Sequence, residues 1–392
     1  MTTTAPPADF LELPWSTPLT DWTDARLVDV RSRGIHRHVV RFVAIGDDVY
    51  ALKEIPERVA RKEYTLLRWL DERAIPAVEV IGVVFARGRD MDAVLVTRYL
   101  DFSLSYRALF TGQRELDLLD RVLDALVQLL ARLHLGGFFW ADCSLSNTLF
   151  RRDAGRFEAY LVDTETAEVR NVLSDGLRAY DLDTATENVA GELADLEAGG
   201  LLPDHIDPYA VADAVARRYE RLWHELTRED VFGESEQRYR IEDRLRSLND
   251  LGFDVDEIDI VSGPDGNRLR VSTSVAEQGN NRRLLLMRTG LEVSENQARR
   301  LLNDIASYRA YLEQRDGRKV SETVAANRWL TSIYEPVIAA VPASLGEKRQ
   351  PAEIFHEILV HRWFLSEQAG RDVGTTFATQ SYVRNVLPYV PD

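Results

Sequence analysis

The chain has 392 residues, 45% of them hydrophobic and 29% charged, with a formal net charge of −16, a balance that suits a globular protein of two or three domains. Such an acidic chain is not built to coat nucleic acid or an anionic membrane, because phosphate binding needs clustered Lys and Arg, and no apolar run approaches the roughly 18 to 20 residues of a membrane span. The one cysteine, Cys143, excludes an intrachain disulfide framework, and the opening Met-Thr-Thr-Thr-Ala-Pro-Pro lacks the basic flank and apolar core of a signal peptide, so a cytoplasmic location is expected.

Residues 1–25 are rich in Pro and Thr and carry Trp15 and Trp22; they read as an arm that packs through its aromatics. From 26 to 55, short runs of Val, Ile, Phe and Tyr broken by Arg33-Gly34 and Gly46-Asp47-Asp48 predict three antiparallel strands. The third, Val49-Tyr50-Ala51-Leu52-Lys53-Glu54, has the small-apolar-Lys pattern of a strand whose lysine reaches the α- and β-phosphates of a nucleotide. Only four of the 48 basic residues are lysine, namely Lys53, Lys62, Lys319 and Lys348. A compact ammonium is chemically distinct from a guanidinium fork, so a rare lysine in this place carries weight, with a solvated strand lysine as the plainer reading.

A helix is predicted over 57–73, where Val59, Leu66, Leu67 and Leu70 recur at helical spacing and Glu63 falls inside the same stripe. A carboxylate on an apolar face is costly unless paired. Lys53 is its expected partner; Glu57 is the rival partner for that lysine, and a Glu63 that snorkels at the stripe's edge is the alternative. Two more strands, 78–86 and 93–99, lead to 99–102, where Tyr99 and Leu100 would form a hinge offering backbone groups to adenine. A long amphipathic helix over 116–134 would underlie the loop that comes next.

That loop carries Asp142 and Asn147 in the order D-x-x-x-x-N, then an apolar run, a polar turn and a second apolar run ending at Asp163. Protein-kinase-like folds use this order: an Asp orients or deprotonates the acceptor hydroxyl, while an Asn and a second Asp hold magnesium on the nucleotide phosphates. Trp140-Ala141-Asp142 stands where such folds have His-Arg-Asp, so control by a phosphorylated activation loop is not expected. Thr164-Glu165-Thr166 stands in place of Phe-Gly, making Glu165 either a second acidic ligand or a solvated turn residue. No G-x-G-x-x-G is present; Gly34 and Arg33, with Arg31, His36, Arg37, His38 and Arg41 around them, are the substitute, or else an exposed strand face with alternating charges. His134 reads as a satisfied core histidine and Cys143 as a small buried residue.

Past residue 166 a helix over 181–196 is expected beneath the loop, then a boundary at 203–208 and helical structure over 209–250. Gly263-Pro264-Asp265-Gly266-Asn267 predicts a hairpin between strands at 258–261 and 269–275. Ser294-Glu295-Asn296-Gln297 is a capping box opening a helix to about 314, with further helices over 324–338 and 351–368. His356 and His361 do not make a zinc pair, since five residues place them about 140° apart around a helix. Arg282, Arg283, Arg288, Arg299 and Arg300 form an anion site or a charged solvated face.

Several phrases carry a family resemblance: Pro-Trp-Ser-Thr-Pro-Leu (14–19), Arg-His-Val-Val-Arg-Phe-Val (37–43), the loop from Gly137 to Gly155, Leu-Asn-Asp-Leu-Gly-Phe-Asp (248–254) and Glu-Ile-Phe-His-Glu-Ile-Leu-Val-His-Arg-Trp (353–363). The stretch from about 26 to 200 resembles the lipopolysaccharide-kinase-like branch of the protein-kinase-like superfamily, relatives of the Kdo and heptose kinases. The whole chain is similar to actinobacterial proteins that join such a half to a C-terminal domain of unknown function. The resemblance implies a Lys53–Glu63 ion pair, Asp142 as base, Asn147 and Asp163 on magnesium, and ATP as the nucleotide. The expected fold is α+β and bilobal: an arm (1–25), an antiparallel-sheet small lobe (26–102), a helical large lobe (103–205) and a mostly helical C-terminal domain with one β-hairpin (206–392). The expected activity is magnesium-dependent transfer of the γ-phosphoryl of ATP to a hydroxyl of a small molecule, glycan or protein. Its rivals are a non-catalytic nucleotide sensor whose C-terminal domain engages a protein partner, and an AMP transferase that binds the nucleotide inverted.

Overall fold

Strand alternation organises the first part of the molecule. The computed structural model of the chain describes residues 8–30, 38–88, 90–110, 116–228, 230–232, 255–263, 266–273, 280–316, 318–369, 371 and 373–390. Strands β1 (Leu27–Val28), β2 (Val39–Ile45), β3 (Asp48–Ile55), β4 (Val80–Val84) and β5 (Ala93–Arg98) form an antiparallel sheet in the order β1-β2-β3-β5-β4. Its register pairs Lys53 with Val40 on one side and Leu95 on the other. Because successive strand side chains point to opposite faces, Tyr50, Leu52 and Glu54 share one face of β3 and Ala51, Lys53 and Ile55 the other.

The arm covers the first of these faces, with Phe10, Leu13, Leu19 and Trp22 packed on Val43, Ile45, Tyr50, Leu52, Val94 and Val96. Its backbone is tied down as well. The Leu19 amide donates to Glu54 Oε2 at 3.1 Å, and the buried Arg87 guanidinium holds Glu54 together with the carbonyls of Trp15 at 2.8 Å and Thr17 at 2.6 Å. Against the opposite side packs α1 (Glu57–Glu72), whose buried stripe is Ala60, Glu63, Leu66, Leu67 and Leu70. Lys53 and Glu63 are therefore brought face to face by a period of two on the strand and 3.6 on the helix.

The next elements are mostly helical: β6 (Ser103–Leu104), α2 (Tyr106–Phe110), α3 (Leu116–Leu135), β7 (Phe138–Phe139), β8 (Thr148–Asp153), β9 (Arg156–Leu161), β10 (Glu168–Val169), α4 (Asp175–Ala198) and α5 (Pro208–Thr227). The small strands pair as β6-β8-β9 and β7-β10. Helix α4 begins six residues before the expected 181 because Ser174 caps it, its side chain accepting from the Leu177 amide. Where helical structure was expected over 209–250, α5 stops at Thr227 and β11 (Asp230–Phe232) follows; 233–250 lie outside the described residues. The hairpin is present as β12 (Val255–Gly263) and β13 (Gly266–Thr273), with Gly263 opposite Gly266 and β11 on the free side of β13.

The chain forms two compact units, one of residues 1–151 and 158–277, the other of residues 152–157 and 278–392. The second unit is helical, with helices Asn280–Thr289, Glu295–Asp316, Glu322–Trp329, Glu335–Ala339, Ala343–Gly346, Pro351–Ala369 and Thr375–Asn385. The single helix expected over 324–338 is loosened by a π-turn at Leu330–Tyr334, just before Pro336, which has no N–H to give to the preceding turn. Leu285, Leu301, Ile305, Trp329, Phe355, Ile358 and Tyr382 make its core. The architecture is thus α+β: an antiparallel-sheet lobe, a helical lobe and a mostly helical C-terminal region. Among the described residues no helix is long and apolar enough to cross a membrane.

Candidate active site

Lys53 is held between two carboxylates. Its Nζ donates to Glu63 Oε1 at 2.9 Å and to Asp163 Oδ2 at 2.8 Å. Glu63 is fully buried, and its Oε2 is buried without a hydrogen-bond partner. Burial pushes the Glu63 carboxyl up to about 7, outweighing the pull of Lys53. Burial works against the Lys53 ammonium too, yet Glu63 and Asp163 together raise its pKa. The rival Glu57 pairs instead with Arg61, four residues on along the exposed side of α1.

Asp163 Oδ1 accepts the Glu165 amide at 2.9 Å. Glu165 in turn meets His38 Nε2 at 3.2 Å through its carboxylate and accepts from Lys62 Nζ at 2.7 Å through its carbonyl. One carboxylate oxygen from each of Glu63, Asp163 and Glu165 lies within 4.8 Å of the others, the only such His/Cys/Asp/Glu cluster among the described residues. An all-oxygen donor set with an orphaned oxygen at its edge fits a hard cation such as magnesium. The two C-terminal histidines do not converge: His356 faces Arg300 and His361 faces Ser381.

The loop carrying Asp142 is shaped from below by α4. Asp181, fully buried, accepts the Trp140 amide at 2.7 Å and the Ala141 amide at 2.8 Å, and meets His134 Nε2 at 3.1 Å. Two consecutive amides aimed at one carboxylate demand a tight bend, and Ala141 takes a φ of +64° to make it. Two turns further along α4, Asn188 Nδ2 reaches Asp142 Oδ1 at 3.3 Å and the Cys143 carbonyl at 3.0 Å. One turn beyond that, Glu192 accepts the Leu145 and Ser146 amides at 2.8 and 2.9 Å. Asn147 donates through Nδ2 to Asp142 Oδ2 at 3.0 Å, which leaves its Oδ1 as the atom able to reach a cation. The Val162 amide donates to the Asn147 carbonyl at 3.0 Å, so the segment that leads from β9 to Asp163 runs against Asn147.

His134 is the satisfied core histidine expected, with Tyr219 Oη at 2.6 Å on its other nitrogen. Cys143 is fully buried, and burial pushes its thiol well up, away from the reactive thiolate. Gly137, which has a φ of +78°, allows a backbone approach no other residue could: a Cβ there would stand 2.1 Å from the Arg170 carbonyl oxygen. At the hinge position the Tyr99 amide donates to the Val49 carbonyl at 2.9 Å, the Leu100 carbonyl accepts from Ser103 at 3.3 Å, and the Tyr99 ring meets Phe42 edge-on. Gly34 and Arg33, like Arg31, His36 and Arg37, lie outside the described residues. Arg41 is turned to the arm, where it donates to the Leu19 and Thr20 carbonyls.

Residues 20–188 match the model of the lipopolysaccharide kinase (Kdo/WaaP) family, and residues 221–387 match that of DUF4032, a domain of unknown function. The N-terminal part is lipopolysaccharide-kinase-like. A solved structure described as WaaP in complex with acyl carrier protein is 17% identical, with a TM-score of 0.36, over 56% of this chain and 87% of its own. No curated protein matches the chain.

Within the lipopolysaccharide-kinase-like part, sequence reasoning missed the side chains of Asp181, Asn188 and Glu192. The signal was there: an acid, an amide and an acid at steps of seven and four, interleaved with the buried Leu182, Ala185, Val189 and Leu193. A buried carboxylate beside a long apolar stripe needs donors, and a loop of exposed amides is where donors are found.

Proposed function

We propose that the lipopolysaccharide-kinase-like part is an ATP- and magnesium-dependent phosphotransferase acting on a hydroxyl. The observation that carries this reading is Lys53 Nζ bridging Glu63 Oε1 and Asp163 Oδ2 at 2.9 and 2.8 Å, an arrangement that sets an ammonium where nucleotide phosphates would be gripped. Asp163 and Asn147 Oδ1, with Glu165 at the edge, are the groups suited to holding magnesium, which would supply charge neutralisation on the phosphates. Asp142 is exposed to solvent and so to an acceptor, and the amides of Asn147 and Asn188 fix both of its oxygens. In the transfer, the acceptor oxygen forms its bond to the γ-phosphorus as the bond from that phosphorus to the bridging β,γ-oxygen breaks. Asp142 takes the hydroxyl proton, and ADP leaves. The protein's contribution is positioning and electrostatics.

Calorimetric titration with ATP, with and without magnesium, tests the nucleotide site. Wild type is expected to bind ATP only weakly without the metal, and Asp163→Ala is expected to lose the magnesium-dependent gain. No binding by the wild type would overturn the reading. An acceptor screen with γ-labelled ATP then tests chemistry: Asp142→Asn should keep nucleotide affinity while turnover falls by about 100-fold or more. Normal turnover in that variant would remove Asp142 from its role.

A further inference from the structure

No glycine-rich signature stands ahead of β2, yet nucleotide phosphates need donors to cover them besides the Lys53 ammonium. Of the described side chains that the sequence offered as a substitute, Arg41 is spent on the Leu19 and Thr20 carbonyls. His38 is turned the other way. It lies two residues before Val40, the cross-strand partner of Lys53, and side chains two apart along a strand share a face. Its Nε2 stands 3.2 Å from Glu165 Oε2. An ionised carboxylate can only accept, so this nitrogen carries its hydrogen and is a donor on the Lys53 face of the sheet.

Glu165 is held by its backbone and by its side chain separately. Lys62 Nζ donates to its carbonyl at 2.7 Å, and its amide donates to Asp163 Oδ1 at 2.9 Å, so its main chain stays beside Asp163 whatever the carboxylate does. The contact between carboxylate and His38 is looser. Both side chains are partly open, 21% exposed for His38 and 30% for Glu165, and an ion pair that wet is exchanged for another partner at little cost. One oxygen of Glu165 lies within 4.8 Å of one from Asp163 and one from Glu63, close enough for Asp163 and Glu165 to share a cation. Ligand oxygens at right angles on magnesium lie about 3 Å apart, from bonds of about 2.1 Å. A phosphate oxygen on the same cation therefore stands about as far from the Glu165 carboxylate as the His38 imidazole does, and a rotamer change of His38 carries the N–H from one to the other. The cation, by taking up the charge of Glu165, weakens the hold that Glu165 has on the imidazole.

We propose that His38 grips the γ-phosphate of the nucleotide, leaving Glu165 for it when Glu165 turns to magnesium. This rests on the magnesium-dependent nucleotide site described above and adds to it a residue that tells three phosphates from two. Lys53 enters the cluster at the Glu63 end and serves the α- and β-phosphates. His38 enters at the Glu165 end, which leaves it the γ-phosphate. ADP has no phosphate there, so the contact separates ATP from its product.

The test is calorimetric titration of the full chain, with magnesium, using ADP and the β,γ-imido analogue of ATP. His38→Ala is expected to weaken the analogue about tenfold and ADP less than about twofold; the retained ADP affinity also shows that the variant is folded. His38→Gln, whose side-chain amide donates at a similar reach, should recover part of the loss. A histidine that merely ties two chain segments together would move both nucleotides alike or neither. An equal loss for the two nucleotides in both variants, or no loss of the analogue in His38→Ala, therefore overturns the proposal and leaves the nucleotide site standing. Wild type that binds neither nucleotide sinks the nucleotide site, and the role of His38 with it.

Discussion

Glu63 has one oxygen on Lys53 and the other on nothing, and it shares its surroundings with the carboxylates of Asp163 and Glu165. Three acids around one ammonium leave local negative charge in excess, and burial adds to the cost of ionising the innermost of them. A carboxyl raised to about 7 from its ordinary 4.5 binds its proton more tightly in the folded chain than in the unfolded one. Its linked contribution to stability is therefore complete below 4.5 and is lost as pH rises through about 7. Denaturant titrations of wild type and Glu63→Gln at pH 5 and pH 8 should show wild type losing ground to the variant with rising pH, by on the order of 2 kcal/mol. The opposite slope would mean that Lys53 dominates and holds Glu63 below its ordinary range. Magnesium, bound among the same oxygens, would favour the ionised form and should flatten the slope, a readout that requires no turnover. The pairing itself was legible from residue types alone, because a lone lysine on a strand and a lone acid inside an apolar helical stripe each need the other. The third partner, Asp163, was expected from the sequence as a metal ligand but not as a second clamp on Lys53, since that contact depends on how the segment after β9, 110 residues later, is placed.

Helix α4 works as a template for the loop above it. Asp181, Asn188 and Glu192 lie along its loop-facing side and between them occupy amides or carbonyls from Trp140 to Ser146. The loop has little regular structure of its own, and a large part of its backbone hydrogen bonding is met from this helix. Asp181→Ala would leave the buried Trp140 amide, the half-buried Ala141 amide and a histidine nitrogen without their acceptor, and it would release Ala141 from its left-handed conformation. The expected loss is about 3 kcal/mol in urea denaturation, with Asp142 displaced and turnover falling further than stability alone accounts for. A loss below about 1 kcal/mol would mean that water replaces the carboxylate. Among the elements that sequence reading placed within a few residues, α1, α3 and the β12–β13 hairpin have a strong period or a turn signal of their own. Those it missed, such as β7, β10, β11 and the helix Thr375–Asn385, are short or carry no cap, and partners far away in the chain decide them. The capping box at Ser294 shows both behaviours: Gln297 Oε1 does accept the Ser294 amide at 3.3 Å, but the Gln297 amide goes to Asp153 in place of the Ser294 hydroxyl. A carboxylate is the stronger acceptor, and nothing local announces that residue 153 will supply it.

On the scale of the whole molecule the two units are not two consecutive lengths of chain. The strands of the β8–β9 hairpin run from Asn147 toward Asp163, yet the turn between them, residues 152–157, belongs with 278–392. In that unit Asp153 serves the first turn of the helix Glu295–Asp316, where a negative charge meets the free amides and the positive end of the helix dipole. Glu353, buried in the helix Pro351–Ala369, is balanced by the Ala154 and Gly155 amides. A fragment of residues 278–392 would keep its apolar core and lose both arrangements at once. A buried carboxylate deprived of its donors costs several kcal/mol, and an unmet helix start about 1 kcal/mol more, against a typical total of about 5–15 kcal/mol for a domain. The fragment is therefore expected to melt broadly, or not to fold, in circular dichroism, while the full chain shows a cooperative transition. Glu353→Gln in the fragment, which removes the stranded charge but keeps the shape, should recover part of the loss; in the full chain the same change should destabilise, because there the charge is satisfied. A fragment that melts as sharply as the full chain, with no response to Glu353→Gln, would show that the turn is a passenger in the second unit and not one of its structural parts.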